Sequence, residues 1–338
     1  MSLFNRRTIL VAGGAITLAR TGAWAQAAKE VTFAHQDMLD PYRVMIDSGE
    51  IEKETKSKIA WRKFGGGGDV IRAMASGDVQ IGEVGSSPAA AAASQGLDVQ
   101  VFWILEDIAD AEQLVARNGS GVSSVKDLKG KKVATPFVST AHYQLLFALQ
   151  DAGLNPREVN VLNMRPPEIA AAWERGDIDA TFIWDPVLSK IKGNGKVLTS
   201  AGEIAKKGRP TFDAVMVNRP WAEKNKEFMV TLVRLMAKAD EDYRTNKAKW
   251  TADSPQVKAV AKISGADPKD VPEGMAAYKF LTLQEQASPE WLGGGKDSGV
   301  AKALAETAKF LKEQGRITEV AADYSKFVTD EYVKAAMK

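Results

Sequence analysis

Two strand–turn–helix units, one early and one late in the chain, constrain its fold more than any other feature. In IDATFIWDP (Ile178–Pro186), which follows a helix-like run over Pro166–Asp177, an apolar strand ends at a Trp-Asp-Pro turn. SGDVQIGEVGSSPAAAA (Ser76–Ala92) has the same order of elements, with Ser-Ser-Pro at the start of its helix. Because ligands of open α/β sheets bind beyond the carboxyl ends of the strands, these units predict two α/β lobes facing a shared cleft.

The pattern of strands and helices along the chain predicts how the two lobes are divided. Residues 26–116 and 218–338 are predicted to form lobe I, and residues 117–217 lobe II. The chain would then cross between the lobes twice, near Leu114–Asn118 and near Val215–Arg219, and paired crossings suit a two-segment hinge that closes on a ligand. The charged amphipathic helices beyond Arg219 are expected to pack back onto lobe I. This is the architecture of a solute-binding protein.

Residues 1–25 are predicted to be an export signal. Arg6 and Arg7 precede an uncharged run over Ile9–Ala19, which is shorter than the roughly 20 residues that a membrane span needs. Ala23–Ala25 fits the small-x-small cleavage pattern of a signal peptide. We therefore expect a periplasmic protein cleaved near Ala25, exported by either the Sec or the twin-arginine route.

The composition excludes several classes of protein. The formal net charge is +2, and removal of the three arginines in residues 1–25 leaves −1, so no basic surface for nucleic acid is expected. The absence of cysteine removes thiol nucleophiles, thiolate metal sites and disulfides. No internal stretch reaches transmembrane length, which favours a soluble mature chain.

Catalytic patterns are also missing from the sequence. His35 and His142 are the two histidines, and neither lies at a spacing from serine or carboxylate that signals a triad. HExxH, GxSxG, CxxC and EF-hand patterns are absent. We therefore expect no enzyme, no metal and no cofactor. His142 follows a predicted helix start, where it could donate to an anion or simply lie on the helix surface.

Two predicted helix starts offer donors to an anion. Ser86 and Ser87 precede Pro88, which predicts an N-cap followed by proline at the first helical position, and Ser139 and Thr140 start a helix in the other lobe. Free N–H groups and the positive end of a helix dipole attract anions. Plain capping explains either pair alone, but two such turns in different lobes favour an anion site. The tetraglycine before the early unit is interpreted as a flexible turn.

Four carboxylates near the predicted cleft offer acceptors to a cation. Glu112 ends the turn after the strand VFWIL, Asp213 lies in the strand FDAVMV, and Asp185 belongs to the Trp-Asp-Pro turn, where it could equally cap the next helix. Glu83 lies inside an apolar strand and therefore requires a partner. Together with the anion sites, these groups suggest a ligand that carries both signs, although a local partner could explain any single carboxylate.

Long stretches of the chain resemble the taurine-binding branch of the nitrate, sulfonate and pyrimidine-precursor binding proteins. The likeness runs from about Val31 to Val333 and includes WRKFGGGGDVIRAMASGDVQIGEVGSSPAAAAASQG, ATPFVSTAHYQLLFALQDAGLNP and PPEIAAAWERGDIDATFIWDPV. The resemblance implies an α/β periplasmic binding protein of type II, with two lobes that close on taurine or a related amino-sulfonate. It also implies delivery to an ABC transporter permease in the inner membrane. We expect a monomer.

The resemblance further implies roles for individual residues. The ammonium of the ligand would be held by Glu112 and Asp213, with Asp185 at the same end, and Trp184 would wall the cleft. The sulfonate would lie near Gln36, His35, Ser86, Ser87, Thr140 and His142. The sequence departs from the family pattern at His35, where tyrosine is common, and at Glu83, where asparagine is expected. An extra carboxylate would favour a larger or more cationic amino-sulfonate.

Other ligands of the same fold remain alternatives at this point. An alkanesulfonate would leave Glu112 and Asp213 without a cation. A quaternary amine would require an aromatic box, for which Trp61, Trp103, Trp184 and Tyr143 are available only if they converge. An aminophosphonate has charges of both signs, as taurine has. A pyrimidine-precursor synthase of this family relies on a cysteine-rich segment, which this chain lacks.

Overall fold

A computed structural model describes residues 29–338, which form two mixed five-stranded sheets. The strands are β1 (Lys29–His35), β2 (Ser57–Lys63), β3 (Ile81–Gly85), β4 (Val99–Asp107), β5 (Gln113–Arg117), β6 (Lys132–Thr135), β7 (Asn160–Asn163), β8 (Ala180–Ile183), β9 (Gly195–Ser200) and β10 (Phe212–Asn218). The first sheet has the order β2-β1-β3-β10-β4, and the second has the order β7-β6-β8-β5-β9. The central strands are almost wholly buried and correspondingly apolar, as in α/β proteins whose sheets are covered on both faces.

Helices connect the strands and form the C-terminal third of the chain. They are α1 (Arg43–Ser48), α2 (Glu50–Thr55), α3 (Gly67–Ala75), α4 (Ser86–Ser94), α5 (Thr140–Asp151), α6 (Pro166–Arg175), α7 (Val187–Lys192), α8 (Ala201–Ala205), α9 (Arg219–Lys224), α10 (Lys226–Asn246), α11 (Pro255–Ser264), α12 (Val271–Ala276), α13 (Leu283–Ala287), α14 (Gly299–Glu313) and α15 (Glu331–Ala336). No helix within residues 29–338 combines the length and apolarity of a membrane span. The predicted signal peptide, residues 1–25, lies outside the described residues.

The pairing of the strands shows that the lobe boundaries differ from those predicted at 116/117 and 217/218. β5 pairs with β8 and β9 and so belongs to the second sheet, whereas β10 pairs with β3 and β4 and belongs to the first. Each crossing therefore lies earlier in the chain, at 108–112 and at 201–211. The predicted assignments of these two strands were wrong because an apolar run shows that a strand exists but not which sheet it joins.

The C-terminal helices pack mainly on the first sheet, as expected, but one of them also reaches the second lobe. α10 contacts α2 and α15, and α14 contacts α4. On α14, the ring of Phe310 meets Tyr143 of α5 edge-on, with the ring centroids 5.1 Å apart. A helix of the first lobe is therefore packed against the helix that carries the second lobe's side of the cleft.

Candidate functional site

A small cavity lies between the two sheets, where strand ends from both lobes converge. The unoccupied space between its lining atoms is about 240 Å³, part of it open to solvent. The lining residues come from both lobes and from the first crossing: Gln36, Met38, Gly67, Gly85, Pro88, Glu112, Ser139, Thr140, Trp184 and Asp213. Six of the residues predicted from the sequence are among them: Gln36, Glu112, Ser139, Thr140, Trp184 and Asp213. The structure adds Met38, the glycines and Pro88.

Close approach of the lobes requires glycine at the end of β3. A Cβ at Gly85 would lie 2.6 Å from Cγ2 of Thr140 and 3.1 Å from Oδ1 of Asp213. Similarly, a Cβ at Gly67, in the tetraglycine predicted to be a turn, would lie 2.5 Å from Cγ of Pro88. Side chains at either position would displace cavity-lining groups, so the shape of the cavity depends on these two glycines.

Two buried carboxyl groups, Asp213 and Glu112, form the acidic side of the cavity. Asp213 lies on β10 opposite Gly85 of β3, and its side chain is almost fully buried. The Thr140 hydroxyl donates to Oε1 of Glu112 at 2.6 Å, while Oε2 of Glu112 receives no donor from any described residue. Burial raises the pKa of Asp213 to about 7. Burial and the nearby charge of Asp213 also raise the pKa of Glu112.

A third carboxyl group, Glu106, lies beside these two and was not predicted from the sequence. It is fully buried on β4, directly opposite Asp213 of β10. Its carboxyl group contacts those of Asp213 and Asp40, and neither of its oxygens receives a donor from the rest of residues 29–338. Because the strand was predicted to end at Leu105, Glu106 was assigned to the turn. An acidic residue at the carboxyl end of a buried strand was the signal that could have identified it.

Glu83 has the partner that its burial required. Its carboxylate accepts hydrogen bonds from Arg43 at 2.5 and 2.9 Å, from the backbone N–H of Gln36 at 2.7 Å and from the hydroxyl of Tyr42. Arg43 is itself fully buried and also donates to Asp40 at 2.7 Å. Glu83 is therefore neutralised within the protein and does not line the cavity, so the expected effect of an extra ligand-facing carboxylate does not arise.

Buried donors lie close to this acidic side. The hydroxyls of Ser86 and Ser87 are fully buried, and they have no partner among the residues described here. The helix was predicted to begin at Pro88 after a serine cap, but α4 begins at Ser86 with Gly85 as its N-cap. The indole Nε1 of Trp184, a lining residue, is also buried and unpartnered within 29–338. Trp184 can donate to an acceptor in the cavity, whereas Ser86 and Ser87 do not line it and directly follow the lining residue Gly85.

The second predicted helix start is confirmed, but the hydroxyls of Ser139 and Thr140 bond to groups of the protein itself. Ser139 is the N-cap of α5: its Oγ accepts from the backbone N–H of His142 at 3.0 Å. Thr140 lines the cavity but donates to Glu112 and therefore supports the acidic side. Gln36 also lines the cavity, and its side-chain amide donates to the backbone carbonyl of Glu83 at 3.0 Å.

Five residues expected at the site do not line the cavity: Ser86 and Ser87, described above, and Asp185, His142 and His35. Asp185 accepts from the backbone N–H of Ser189 at 2.8 Å, which is the capping role considered as its alternative. The ring of His142 stacks on Phe137 with centroids 4.4 Å apart. His35 lies near Trp61, its ring Nδ1 3.3 Å from the carbonyl oxygen of Gln36. Burial lowers the pKa of His35 to about 4 and that of His142 to about 3, so both rings are neutral at physiological pH.

The aromatic residues do not converge as a box around the cavity. Trp184 lines it. Trp61 packs against Phe33 with tilted rings whose centroids are 4.8 Å apart, Trp103 is buried in the main core, and Tyr143 packs on Phe310. This arrangement does not support the alternative of a quaternary-amine ligand.

Comparisons with known proteins agree with the predicted fold and resemblance. Residues 59–247 match the family described as NMT1/THI5 like. The chain is 39% identical to the taurine-binding periplasmic protein of Escherichia coli, over 99% of this chain and 100% of that protein. The alkanesulfonate-binding protein of Xanthomonas axonopodis pv. citri bound to MOPS superposes with a TM-score of 0.71 at 22% identity, over 91% of this chain and 99% of that chain. The periplasmic aliphatic sulphonate binding protein of E. coli superposes with a TM-score of 0.69 at 23% identity, over 90% and 92% of the chains. The two-lobed binding-protein fold and the resemblance are thereby confirmed.

Proposed function

This chain belongs to the NMT1/THI5-like family, and from that premise we propose that it is the taurine-binding component of an ABC importer. It captures the ligand in the periplasm and delivers it to a permease of the inner membrane. The whole-length relative is named as a taurine-binding protein and not as an enzyme. A role in binding also agrees with a site whose two histidines lie outside the cavity lining and are neutral.

One observation carries the proposal: buried acceptors and a buried, unpaired donor line the same small cavity, and two more unpaired donors lie next to it in the chain. The acceptors are the carboxyl group of Asp213 and the unpaired Oε2 of Glu112, and the lining donor is the indole N–H of Trp184; the unpaired hydroxyls of Ser86 and Ser87 directly follow the lining residue Gly85. Leaving buried polar groups without partners costs free energy. A zwitterion with an ammonium at one end and a sulfonate at the other would satisfy both sets.

Taurine suits this site in charge. Its ammonium pairs with Asp213 and Glu112, which burial and mutual repulsion otherwise drive towards the protonated form. Its sulfonate accepts from Ser86, Ser87, Trp184 and the side-chain amide of Gln36, beside the N-terminus of α4, which has no side-chain cap. Each charge gains hydrogen bonds from charged or dipolar partners as closure removes water.

The same site disfavours the other ligands of this fold. An alkanesulfonate without an amine would leave Asp213 and Glu112 buried without a cation. The cavity is also narrow and bordered by Met38 and Trp184, which favours a small amino-sulfonate over a bulky one. A small aminophosphonate would suit the charges similarly, and it is the competitor to include in the test.

The proposal includes export and the partner. The predicted signal peptide over residues 1–25 directs the chain to the periplasm, with cleavage near Ala25. The mature protein acts as a monomer whose two lobes close on the ligand, and the permease meets the lobe faces that flank the cleft.

Calorimetry on ligand-free mature protein tests the proposal. Taurine is titrated in parallel with ethanesulfonate, which keeps the sulfonate alone, with ethylamine, which keeps the ammonium alone, and with aminoethylphosphonate. We expect tight binding of taurine and binding at least about a hundredfold weaker for either half-molecule, because each leaves one buried set unpaired. Equal affinity for ethanesulfonate and taurine would contradict the ammonium site and assign the chain to alkanesulfonates. Tighter binding of the phosphonate would reassign the anion.

A further inference from the structure

Buried negative charge around the cavity exceeds the positive charge available to balance it. Five buried carboxyl groups are neighbours in space although they are distant in sequence: Asp40, Glu83, Glu106, Glu112 and Asp213. Among residues 29–338, Arg43 is the one lysine or arginine side chain that is buried. Even with the ammonium of a ligand, two positive charges would face five carboxyl groups. Since isolated buried charges are strongly unfavourable, this cluster must retain protons.

Hydrogen bonding distinguishes the carboxyl group that holds a proton from those that are ionised. Glu83 and Asp40 accept hydrogen bonds from Arg43, and Glu112 accepts one from the hydroxyl of Thr140. Asp213 faces the cavity. Glu106 is the one carboxyl group of these five whose two oxygens are both buried without a donor from the described part of the chain, and it contacts the carboxyl groups of Asp40 and Asp213. Because an ionised carboxylate can only accept, a buried carboxyl group that faces other carboxyl groups and no other donor makes a hydrogen bond only if one of them carries a proton.

On the basis of the proposed function, we infer that Glu106 is a positioning residue that stays protonated and donates its hydrogen bond to Asp213, so that the Asp213 carboxylate is ionised and oriented for the ammonium of the ligand. Burial, and then the charges of Asp40 and Asp213, raise the pKa of Glu106 well above its usual range. The β4–β10 pairing sets Glu106 directly opposite Asp213.

Other acidic groups around Glu106 and Asp213 also favour the protonated form of Glu106. The groups near Glu106 and its two acceptors are Glu83 on β3, Glu112 at the crossing, Tyr278 after α12, Asp240 on α10 and Asp185 after β8, with Arg43 as the compensating cation. Burial raises the pKa of Tyr278 well above its usual value, so it remains neutral. The acidic neighbours all favour the protonated form of Glu106, and Arg43 is engaged by Glu83 and Asp40.

Two variants at position 106 separate this role from the alternatives. In Glu106→Gln, the amide still donates to Asp213, and we expect a taurine affinity within about threefold of wild type. In Glu106→Met, the volume is similar but no donor remains, so affinity at about pH 7 should fall by about tenfold or more. The methionine variant should regain affinity as the pH is raised to about 8.5, because Asp213 then ionises without help.

A control on the same strand and a proton count complete the test. Asp107→Asn changes the neighbouring carboxyl, which accepts from the N–H of Ala109 and does not line the cavity, and it should keep wild-type affinity. Calorimetry of wild-type protein in buffers of different ionisation enthalpy should show release of a fraction of one proton per taurine, approaching one at about pH 6, as Asp213 ionises while Glu106 does not.

The outcomes that overturn the inference are specific. If Glu106→Gln binds as weakly as Glu106→Met, then Glu106 acts as an ionised ligand. If Glu106→Met binds like wild type, then the residue only fills space. Release of more than about one proton per taurine, or of none at about pH 6, also contradicts the assignment. Wild-type protein that does not bind taurine would overturn the proposed function itself, which separates the two failures.

Discussion

Glu83 and Asp213 are buried carboxyl groups on the adjacent, paired strands β3 and β10, yet their surroundings are opposite. Glu83 receives a bidentate guanidinium, a backbone N–H and the hydroxyl of Tyr42. Asp213 has no such cation and lines the cavity between the lobes, with its pKa raised by burial to about 7. Burial therefore does not distinguish a structural carboxylate from a ligand-binding one. The difference is whether the protein itself supplies the cation.

The largest expected effect comes from removing the cation that pairs with Glu83, the structural carboxylate. Arg43→Met leaves Glu83 buried without its cation, so the free energy of unfolding should fall by about 3–5 kcal/mol. Urea denaturation of the ligand-free protein measures the change. The double variant Arg43→Met with Glu83→Gln removes both charges and should recover much of the loss. A single variant as stable as wild type would show that the pair does not hold β3 and α1 together.

For Asp213, the ligand-binding carboxyl group, we expect that a substitution lowers the affinity for taurine without lowering the stability of the fold. Asp213→Ala should weaken taurine binding by more than about 2 kcal/mol, because the ammonium loses a buried partner. Its pKa of about 7 lies above the value of about 4 in an unfolded chain, so Asp213 makes wild type lose stability as pH rises from about 4 to about 7. The variant should lose less over this range, although Glu112 and Glu106, whose pKa values are also raised, keep part of the dependence. Calorimetry and pH-dependent melting measure both effects. Asp185→Asn, outside the cavity lining, should bind normally, and near-native affinity of Asp213→Ala would contradict the site.

The smallest effect concerns the hydroxyl that supports Glu112. Thr140→Val keeps the shape but removes the 2.6 Å hydrogen bond, and taurine binding should weaken by about 1 kcal/mol. Thr135→Val is the matched control, since the Thr135 hydroxyl is buried without a partner among residues 29–338 and should be replaceable without loss. Stronger binding by Thr140→Val would indicate that Glu112 is better left free to reach the ligand.

Much of the site was predictable because the resemblance carries positions along the chain. Gln36, Glu112, Thr140, Trp184 and Asp213 all line the cavity, as expected. Thr140 is an instructive case: its position was predicted, but its hydroxyl donates to a carboxylate instead of remaining free for an anion. A motif places a residue at a turn, whereas its hydrogen-bond partner depends on what another segment brings to it.

Residues were missed or misassigned where the decisive partner is distant in sequence. Glu106 has no local feature that shows its contact with Asp213, which arises from the pairing of β4 with β10. His35 and His142 are polar in sequence and stand near predicted site residues, but stacking and burial leave them neutral and outside the lining.

The sequence by itself determined the alternation of strands and helices in two α/β lobes, the absence of thiol chemistry and the near-neutral charge, because hydrophobic periodicity, capping residues and composition are local properties. It also located the N-cap at Ser139. It did not show the edge strand β9. Only the tertiary structure decided which sheet receives β5 and β10, and which carboxyl group has a cation. The Glu83–Arg43 pair spans 40 residues and the Glu112–Thr140 bond spans 28, so their existence depends on how the strands and helices pack.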